Sequence, residues 1–176
     1  LILTWLLRGG DGLLKGSDSI VYLNMFDKIK EYDSLSSIYY MNDYFFSNYS
    51  FLIKKFTQDS KSYLSIIFLS STLIILTAYF LFLKNYNSSY FYLSVFLLLS
   101  TSTYYLYNLN ALRQGLSAST LMLGLAIMYQ YKSYLTSFII IIIGTLLHKS
   151  GVIFVFIFLL IEFFKLKLDK SLYFFF

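Results

Sequence analysis

Five apolar segments follow one another from residue 63 onwards, and they constrain the fold of this chain more than any other feature. They cover residues 63–83, 90–107, 111–131, 134–147 and 151–164. The first three reach the length that spans a bilayer, about 18 residues or more. The last two are shorter and are predicted to form a tilted pair or a helical hairpin that meets at His148. We therefore expect an all-α fold, a polytopic transmembrane helical bundle.

The residue usage excludes an ordinary soluble domain. Of the 176 residues, 58% are hydrophobic and only 13% are charged, which is more apolar surface than a soluble domain of this size can bury. The chain has no cysteine and one histidine, so disulfides, thiolate chemistry and a conventional zinc site are not expected, and we predict no cofactor. The net charge of +5 comes from scattered basic residues that form no stripe, so nucleic acid is not a predicted partner.

The organisation is that of a single membrane domain over residues 1–176. Both ends lie inside apolar runs and the first residue is not methionine, so we expect a fragment of a longer membrane protein. Residues 8–62 form a polar segment with seven basic and seven acidic residues, and they contain an early glycine-rich loop. Residues 43–56 are predicted to form an amphipathic helix in the membrane interface. Residues 63–164 are predicted to form the transmembrane helices.

The short loops predict the orientation. On a serpentine path, one side of the membrane receives Lys84, Lys132, Lys165, Lys167 and Lys170, whereas the other side receives only Arg113 and Lys149. Because basic loops favour the cytoplasm, the first side is predicted to be cytoplasmic. The polar segment 8–62, Arg113 and His148 would then share the extracytoplasmic face. Tyrosines near both ends of the apolar segments are predicted to form belts in contact with membrane lipids, with Tyr104, Tyr105 and Tyr107 outside and Tyr86, Tyr90, Tyr129, Tyr131 and Tyr134 inside.

The polar run 108–115 stands out because an arginine at the end of a membrane-length segment is costly. At 100° per residue, one helix face of about 100° carries Asn110, Arg113, Gln114 and Ser117. A different face carries the small residues Ala111, Gly115 and Ser119, which favour close helix packing. The forked donors of a guanidinium match phosphate oxygens, and the group stays charged in a poorly solvated site. The alternative is an arginine that snorkels to lipid headgroups.

Two further polar runs carry candidate chemistry. His148 has an ordinary pKa of about 6.5 and is predicted to act as a general acid or base, to bind a sugar hydroxyl or to assist phosphate binding. Its alternative is a polar residue in an interfacial turn. Asp18 lies in the run 16–22, where it or Ser17 is a candidate cap for a helix that begins near Ser19.

Together these runs resemble a known family. Four elements follow one another in this order: Arg8; Gly16-Ser17-Asp18 with Tyr22; Asn110-x-x-Arg113-Gln114-Gly115; and Leu147-His148-Lys149-Ser150. This order resembles the EpsG family, which is related to Wzy-type polysaccharide polymerases. The resemblance covers most of the chain. It implies a multi-pass protein of the bacterial inner membrane that joins undecaprenyl-diphosphate-linked repeat units at the extracytoplasmic face, in exopolysaccharide, capsule or O-antigen synthesis. Its implied partners are the lipid-linked oligosaccharide and other polysaccharide-export components.

The resemblance also implies site residues. The predicted catalytic residues are Arg113, His148 and Asp18, and the predicted substrate-binding residues are Gln114, Asn110, Arg8, Lys149, Ser150 and Tyr22. Arg113 would stabilise the leaving diphosphate with help from Arg8 or Lys149, and Asp18 or His148 would take the proton of the acceptor hydroxyl.

Three alternatives belong to other classes. A flippase or transporter would need polar residues near the middle of the membrane and broken helices, whereas the polar residues here gather at helix ends. A membrane sugar acyltransferase would need an acyl-donor site, which no pattern specifies. A structural or assembly subunit of an envelope complex is the third alternative.

Overall fold

The computed structural model describes residues 19–32, 44–101, 104, 111–153, 155–156 and 159–160. Within these residues the chain is helical and has no strand, which confirms the predicted all-α class. The described residues contain six α-helices: α1 (Ser19–Lys30), α2 (Tyr44–Lys54), α3 (Ser60–Leu83), α4 (Ser88–Ser100), α5 (Leu112–Tyr131) and α6 (Tyr134–Leu147). A 3₁₀ turn at Lys149–Gly151 follows α6.

Polar side chains mark the first residues of the apolar helices. The carboxylate of Asp59 caps α3, accepting hydrogen bonds from both the backbone N–H and the hydroxyl of Ser62 at 2.7 Å. These bonds lower the pKa of Asp59 below its ordinary value. Asn87 caps α4 by accepting the N–H of Ser89 at 3.0 Å. Ser19 lies in helix α1, while the predicted caps of that helix, Ser17 and Asp18, lie outside the described residues. The polar residues between the apolar runs therefore set where the helices start.

Helices α3, α5 and α6 form the centre of the bundle. The hydroxyls of Ser71 on α3 and Ser119 on α5 are 2.9 Å apart, and further along both helices Ala78 packs in one buried cluster with Ala126. The two helices therefore run in the same direction. Gly115 and Ser119 are buried along α5, which confirms the small-residue packing face predicted for this helix.

Helix α6 runs antiparallel to α5 and crosses it at two glycines. A Cβ atom on Gly124 would lie 2.6 Å from Cγ1 of Ile141, and one on Gly144 would lie 2.9 Å from Cγ of Leu121. The hydroxyl of Ser117 donates to the carbonyl of Gly144 at 2.6 Å. The prediction that Ser117 shares a polar cavity face with Arg113 is therefore wrong, because α6 covers that part of α5 and takes up the hydroxyl.

Replacement of Gly144 by valine should loosen this crossing. The Cβ atom would also lie 3.2 Å from the backbone nitrogen of Leu121. A backbone atom cannot move aside as the end of a flexible side chain can. We expect a loss of about 1–3 kcal/mol in stability, seen as a lower thermal unfolding temperature of the detergent-solubilised protein. Ala118→Val, on the exposed side of α5, is the matched control and should change little. An equal loss in both variants would contradict the close crossing.

Helices α1 and α2 pack onto the end of the bundle where α3 begins. The rings of Phe26 and Tyr63 stack with centroids 4.0 Å apart. Lys30 donates to the Asp27 carboxylate at 2.6 Å and to the Ser60 hydroxyl at 2.9 Å, which ties the end of α1 to the start of α3. Helix α2 lies within the predicted amphipathic segment 43–56 and buries Phe46 in the same core as Tyr63. Its placement in a membrane interface stays a prediction.

One helix in the described part of the chain, Ser60–Leu83, is both long and apolar enough to cross a membrane. Ser88–Ser100 and Tyr134–Leu147 are apolar but shorter. Helix α5 matches the length predicted for residues 111–131, but the polar residues Ser117, Ser119 and Thr120 make it less apolar, and the structure buries all three.

The predicted tyrosine belts differ between the two ends. Tyr104 does not face lipid, because its side chain is only 4% exposed and its hydroxyl lies 2.7 Å from that of Thr72. Its assignment to an outer belt is wrong, and Tyr105 and Tyr107 lie outside the described residues. Of the five tyrosines predicted for the opposite end, Tyr129 is half-buried and the other four are exposed, namely Tyr86, Tyr90, Tyr131 and Tyr134. These side chains have the exposure that an interfacial belt requires.

Candidate functional site

The guanidinium of Arg113 lies over an aromatic ring from a distant part of the chain. Arg113 is the second residue of α5, and its Cζ is 5.7 Å from the ring centroid of Tyr22 on α1. The Tyr22 ring is only 4% exposed, and Nε of Arg113 is shielded from solvent. A cation held on an aromatic face in this way gains about 0.5–2 kcal/mol, depending on its desolvation. Arg113 is thus fixed against α1, unlike an arginine whose side chain extends freely toward headgroups.

The core beneath the site fixes this arrangement. Leu112 precedes Arg113, Leu147 precedes His148, and both leucines belong to the buried cluster that also contains Tyr22, Phe46 and Tyr63. Arg113 and His148 are therefore each one residue away from a buried leucine, and Tyr22 is itself part of the core. We call these two leucines the anchors of the site. Because the anchors pack against one another, the polar side chains beside them are brought to the same end of the bundle.

His148 ends α6 at a sharp turn. Its backbone is extended (φ −155°, ψ 131°), and its carbonyl accepts the N–H of Gly151 at 2.9 Å. The hydroxyl of Thr145 donates to the carbonyl of Gly151 at 3.2 Å, so the 3₁₀ turn folds back over the last turn of the helix. A Cβ atom on Gly151 would lie 2.7 Å from Cα of Thr145. Only glycine fits here, and the turn that presents His148 depends on it.

The electrostatics of the site keep His148 neutral at pH 7. Partial burial removes water from the imidazole, and the positive charge of Arg113 acts in the same direction, so the pKa of His148 lies below its ordinary value of 6.5. A neutral imidazole has one nitrogen that can accept a proton. Arg113 and His148 each follow a leucine of the same buried cluster, which places the two residues at the same end of the bundle.

The start of α5 is electrically positive. Ala111 occupies the position before the helix and has no polar side chain to cap it, and no acidic residue lies in the first turn. The partial positive charge of a helix N-terminus is therefore not offset by an acidic side chain in that turn, and the charge of Arg113 adds to it. Helix N-termini and guanidinium groups both bind phosphate oxygens. The combination suits a phosphate or diphosphate ligand.

The structure brings together three of the predicted site residues: Tyr22, Arg113 and His148. Gln114 and Lys149 are neighbours of this group in sequence and are exposed, and the backbone of Ser150 lies in the 3₁₀ turn. Arg8, Asp18 and Asn110 lie outside the described residues. The roles of all these residues stay predictions. Sequence reasoning missed Gly151, although its position directly after the run 148–150 was a signal for a turn.

Comparison with known proteins gives a family. No curated protein and no solved structure matches the chain. The family described as the EpsG family matches residues 1–176, which is the whole chain. This family is associated with polysaccharide biosynthesis and with membranes. The match confirms the resemblance that the three polar runs predicted, and the chain belongs to the EpsG family.

Proposed function

We propose that this protein is a polysaccharide polymerase of the bacterial cytoplasmic membrane, which joins repeat units carried on undecaprenyl diphosphate. The observation that carries the proposal is the placement of the Arg113 guanidinium on Tyr22, at the start of α5 and close to a neutral imidazole. Such a site offers a cation for a diphosphate and a base for a hydroxyl. The association of the family with polysaccharide biosynthesis supports the same reading.

In the proposed reaction, the hydroxyl oxygen of an acceptor repeat unit attacks the anomeric carbon of a chain attached to the lipid diphosphate. A bond forms between that oxygen and the anomeric carbon, while the bond from the anomeric carbon to the diphosphate oxygen breaks. The bonding electrons leave with the diphosphate, where Arg113 and the start of α5 balance the added charge. The hydroxyl proton passes to His148, which is available because its pKa is lowered.

The apolar surface of the bundle supports a membrane placement. Leu69 and Leu73 on α3, together with Phe96 and Leu97 on α4, are large apolar side chains that are half exposed or more. Large apolar side chains exposed in this number are unfavourable in water and favourable in lipid. With α3 across the membrane, α1, α2 and the Arg113 site lie at one boundary, where a lipid-anchored substrate can reach them. On the predicted serpentine path, the short loops at the other end carry five lysines, whereas those at this end carry only Arg113 and Lys149, which supports an extracytoplasmic site.

Loss of the protein tests the proposed reaction. In a bacterium that makes the polysaccharide, deletion of the gene should remove long polymer, while single repeat units accumulate on the lipid carrier at the outer face. Gel separation gives the chain lengths, and a membrane-impermeant label for sugars gives the sidedness. Return of the natural gene should restore the polymer. Repeat units held at the inner face would instead indicate the flippase, and unchanged polymer would contradict any essential role.

A further inference from the structure

The end of the bundle opposite the Arg113 site carries two lysines on aromatic rings. Nζ of Lys84, at the end of α3, is 5.5 Å from the ring centroid of Tyr131, and Nζ of Lys132, directly after α5, is 5.5 Å from that of Tyr129. The side-chain amides of Asn85 and Gln130 pair between the same two helix ends at 3.3 Å. Both lysines are exposed at one edge of the bundle.

Lys132 occupies its position at a conformational cost. It has φ 54° and ψ 25°, the left-handed conformation in which glycine commonly ends a helix. The Cβ of lysine causes conformational strain that glycine would avoid. The lysine also places a cation beside the last carbonyls of α5, which is favourable. A charge is thus kept at a position where glycine would be less strained.

A cavity of about 220 Å³ opens beside Lys84, between the end of α3 and the start of α4. Phe80 and Leu83 line it from α3, and Phe91 and Tyr92 line it from α4. The walls are therefore mainly apolar, with one cation at the rim. We call this cavity the α3–α4 groove. Its lining suits an amphipathic ligand whose anionic head group contacts Lys84 while its apolar part contacts the walls from α3 and α4.

Acidic side chains are missing from this end as far as the described residues go. The acids within those residues are Asp27, Glu31 and Asp59, all at the end where α1 packs on α3. A cationic edge with aromatic rings and an apolar groove is complementary to an anionic phospholipid. We propose that Lys84 and Lys132 hold the phosphate of an anionic phospholipid of the cytoplasmic leaflet, with its acyl chain in the α3–α4 groove. This proposal rests on the membrane orientation of the proposed function, but not on its chemistry.

The test compares matched pairs of variants in the whole protein. The Lys84→Gln, Lys132→Asn double variant removes both cations, and asparagine tolerates the left-handed backbone at position 132. The Lys28→Gln, Lys55→Asn double variant removes two exposed lysines at the other end. Nanodiscs of phosphatidylcholine with increasing phosphatidylglycerol supply the probe, and native mass spectrometry counts the phosphatidylglycerol that stays bound. We expect at least a fivefold loss of bound lipid in the first variant and little change in the second.

A Lys84→Arg, Lys132→Arg variant covers the case in which the first variant folds poorly, since it keeps both charges and should retain the lipid. Equal retention in the two charge-removing variants would overturn the proposal, and so would tighter binding of a polyprenyl phosphate than of phosphatidylglycerol. Polymer formation is measured separately in cells. Lipid binding without polymer would therefore count against the proposed reaction alone, and polymer without selective lipid binding would count against this site alone.

Discussion

Replacement of Arg113 by lysine should abolish long polymer, although the charge is kept. Lysine supplies a point charge on a flexible stem, whereas the guanidinium supplies a planar fork that fits two phosphate oxygens and is held over the Tyr22 ring, 5.7 Å from its centroid. Loss of one donor at a developing charge typically costs about 100- to 1,000-fold in rate. We expect a drop of that size, measured as the fraction of repeat units incorporated into polymer, with single units accumulating on the lipid carrier.

The control for this prediction is another cation on an aromatic ring. Nζ of Lys54 is 5.2 Å from the ring centroid of Phe51, within α2 and apart from the described site residues. Lys54→Arg makes the reverse exchange there and should leave chain length unchanged. Normal polymer in Arg113→Lys cells, with the protein present at the wild-type level, would remove the diphosphate role of Arg113.

The helices of this bundle and one of its packing faces could be predicted from the sequence because their patterns are strong. The apolar segments predicted helices, and the small residues Gly115 and Ser119 predicted a packing face that the structure confirms. The prediction that Ser117 lies on a polar cavity face was wrong, because the angular position of a residue on an isolated helix does not show which neighbouring helix covers it. The close crossing of α5 and α6 at Gly124 and Gly144 decided that point, and it depends on the path of α6 rather than on local pattern.

The candidate site was also predictable only in part from the sequence. The residue types and the order of the polar runs predicted Arg113 and His148, because charged and titratable groups at the ends of apolar helices are costly. The ring beneath Arg113 could be named only through the family resemblance, since Tyr22 reaches it through the packing of α1 on α3. The core contact of Phe26 with Tyr63 establishes that packing, and no spacing in the sequence encodes it.

The two ends of the bundle now have different chemistry. At one end a half-buried arginine and a histidine with a lowered pKa lie beside one buried core, whereas at the other end exposed lysines lie on exposed or half-buried tyrosine rings. Desolvation strengthens charge interactions and changes proton affinity, so the first end is suited to catalysis. The second end keeps its charges exposed, which suits the proposed anchoring to lipid. This asymmetry agrees with the proposed orientation, in which Lys84 and Lys132 lie in cytoplasmic loops.

His148 should be the group whose protonation limits the reaction at low pH. Because burial and the charge of Arg113 hold its pKa below 6.5, His148 stays an available base through neutral pH and loses this role only as the pH falls through the lowered value. We expect the polymerisation rate in membrane vesicles to be level from pH 8 to about 6.5 and to fall at more acidic pH, approaching tenfold per pH unit below the lowered pKa.

Substitution of His148 by glutamine keeps a polar side chain but removes the base, and should lower the rate by about 100- to 10,000-fold while protein levels stay normal. The titration can also be read directly by NMR of labelled histidine, with the His148→Gln spectrum identifying the signal by subtraction. In Arg113→Gln the midpoint should rise toward 6.5 without reaching it, because desolvation, the larger cause of the lowered pKa, remains. A wild-type midpoint at or above 6.5, or full activity in His148→Gln, would show that another group takes the proton.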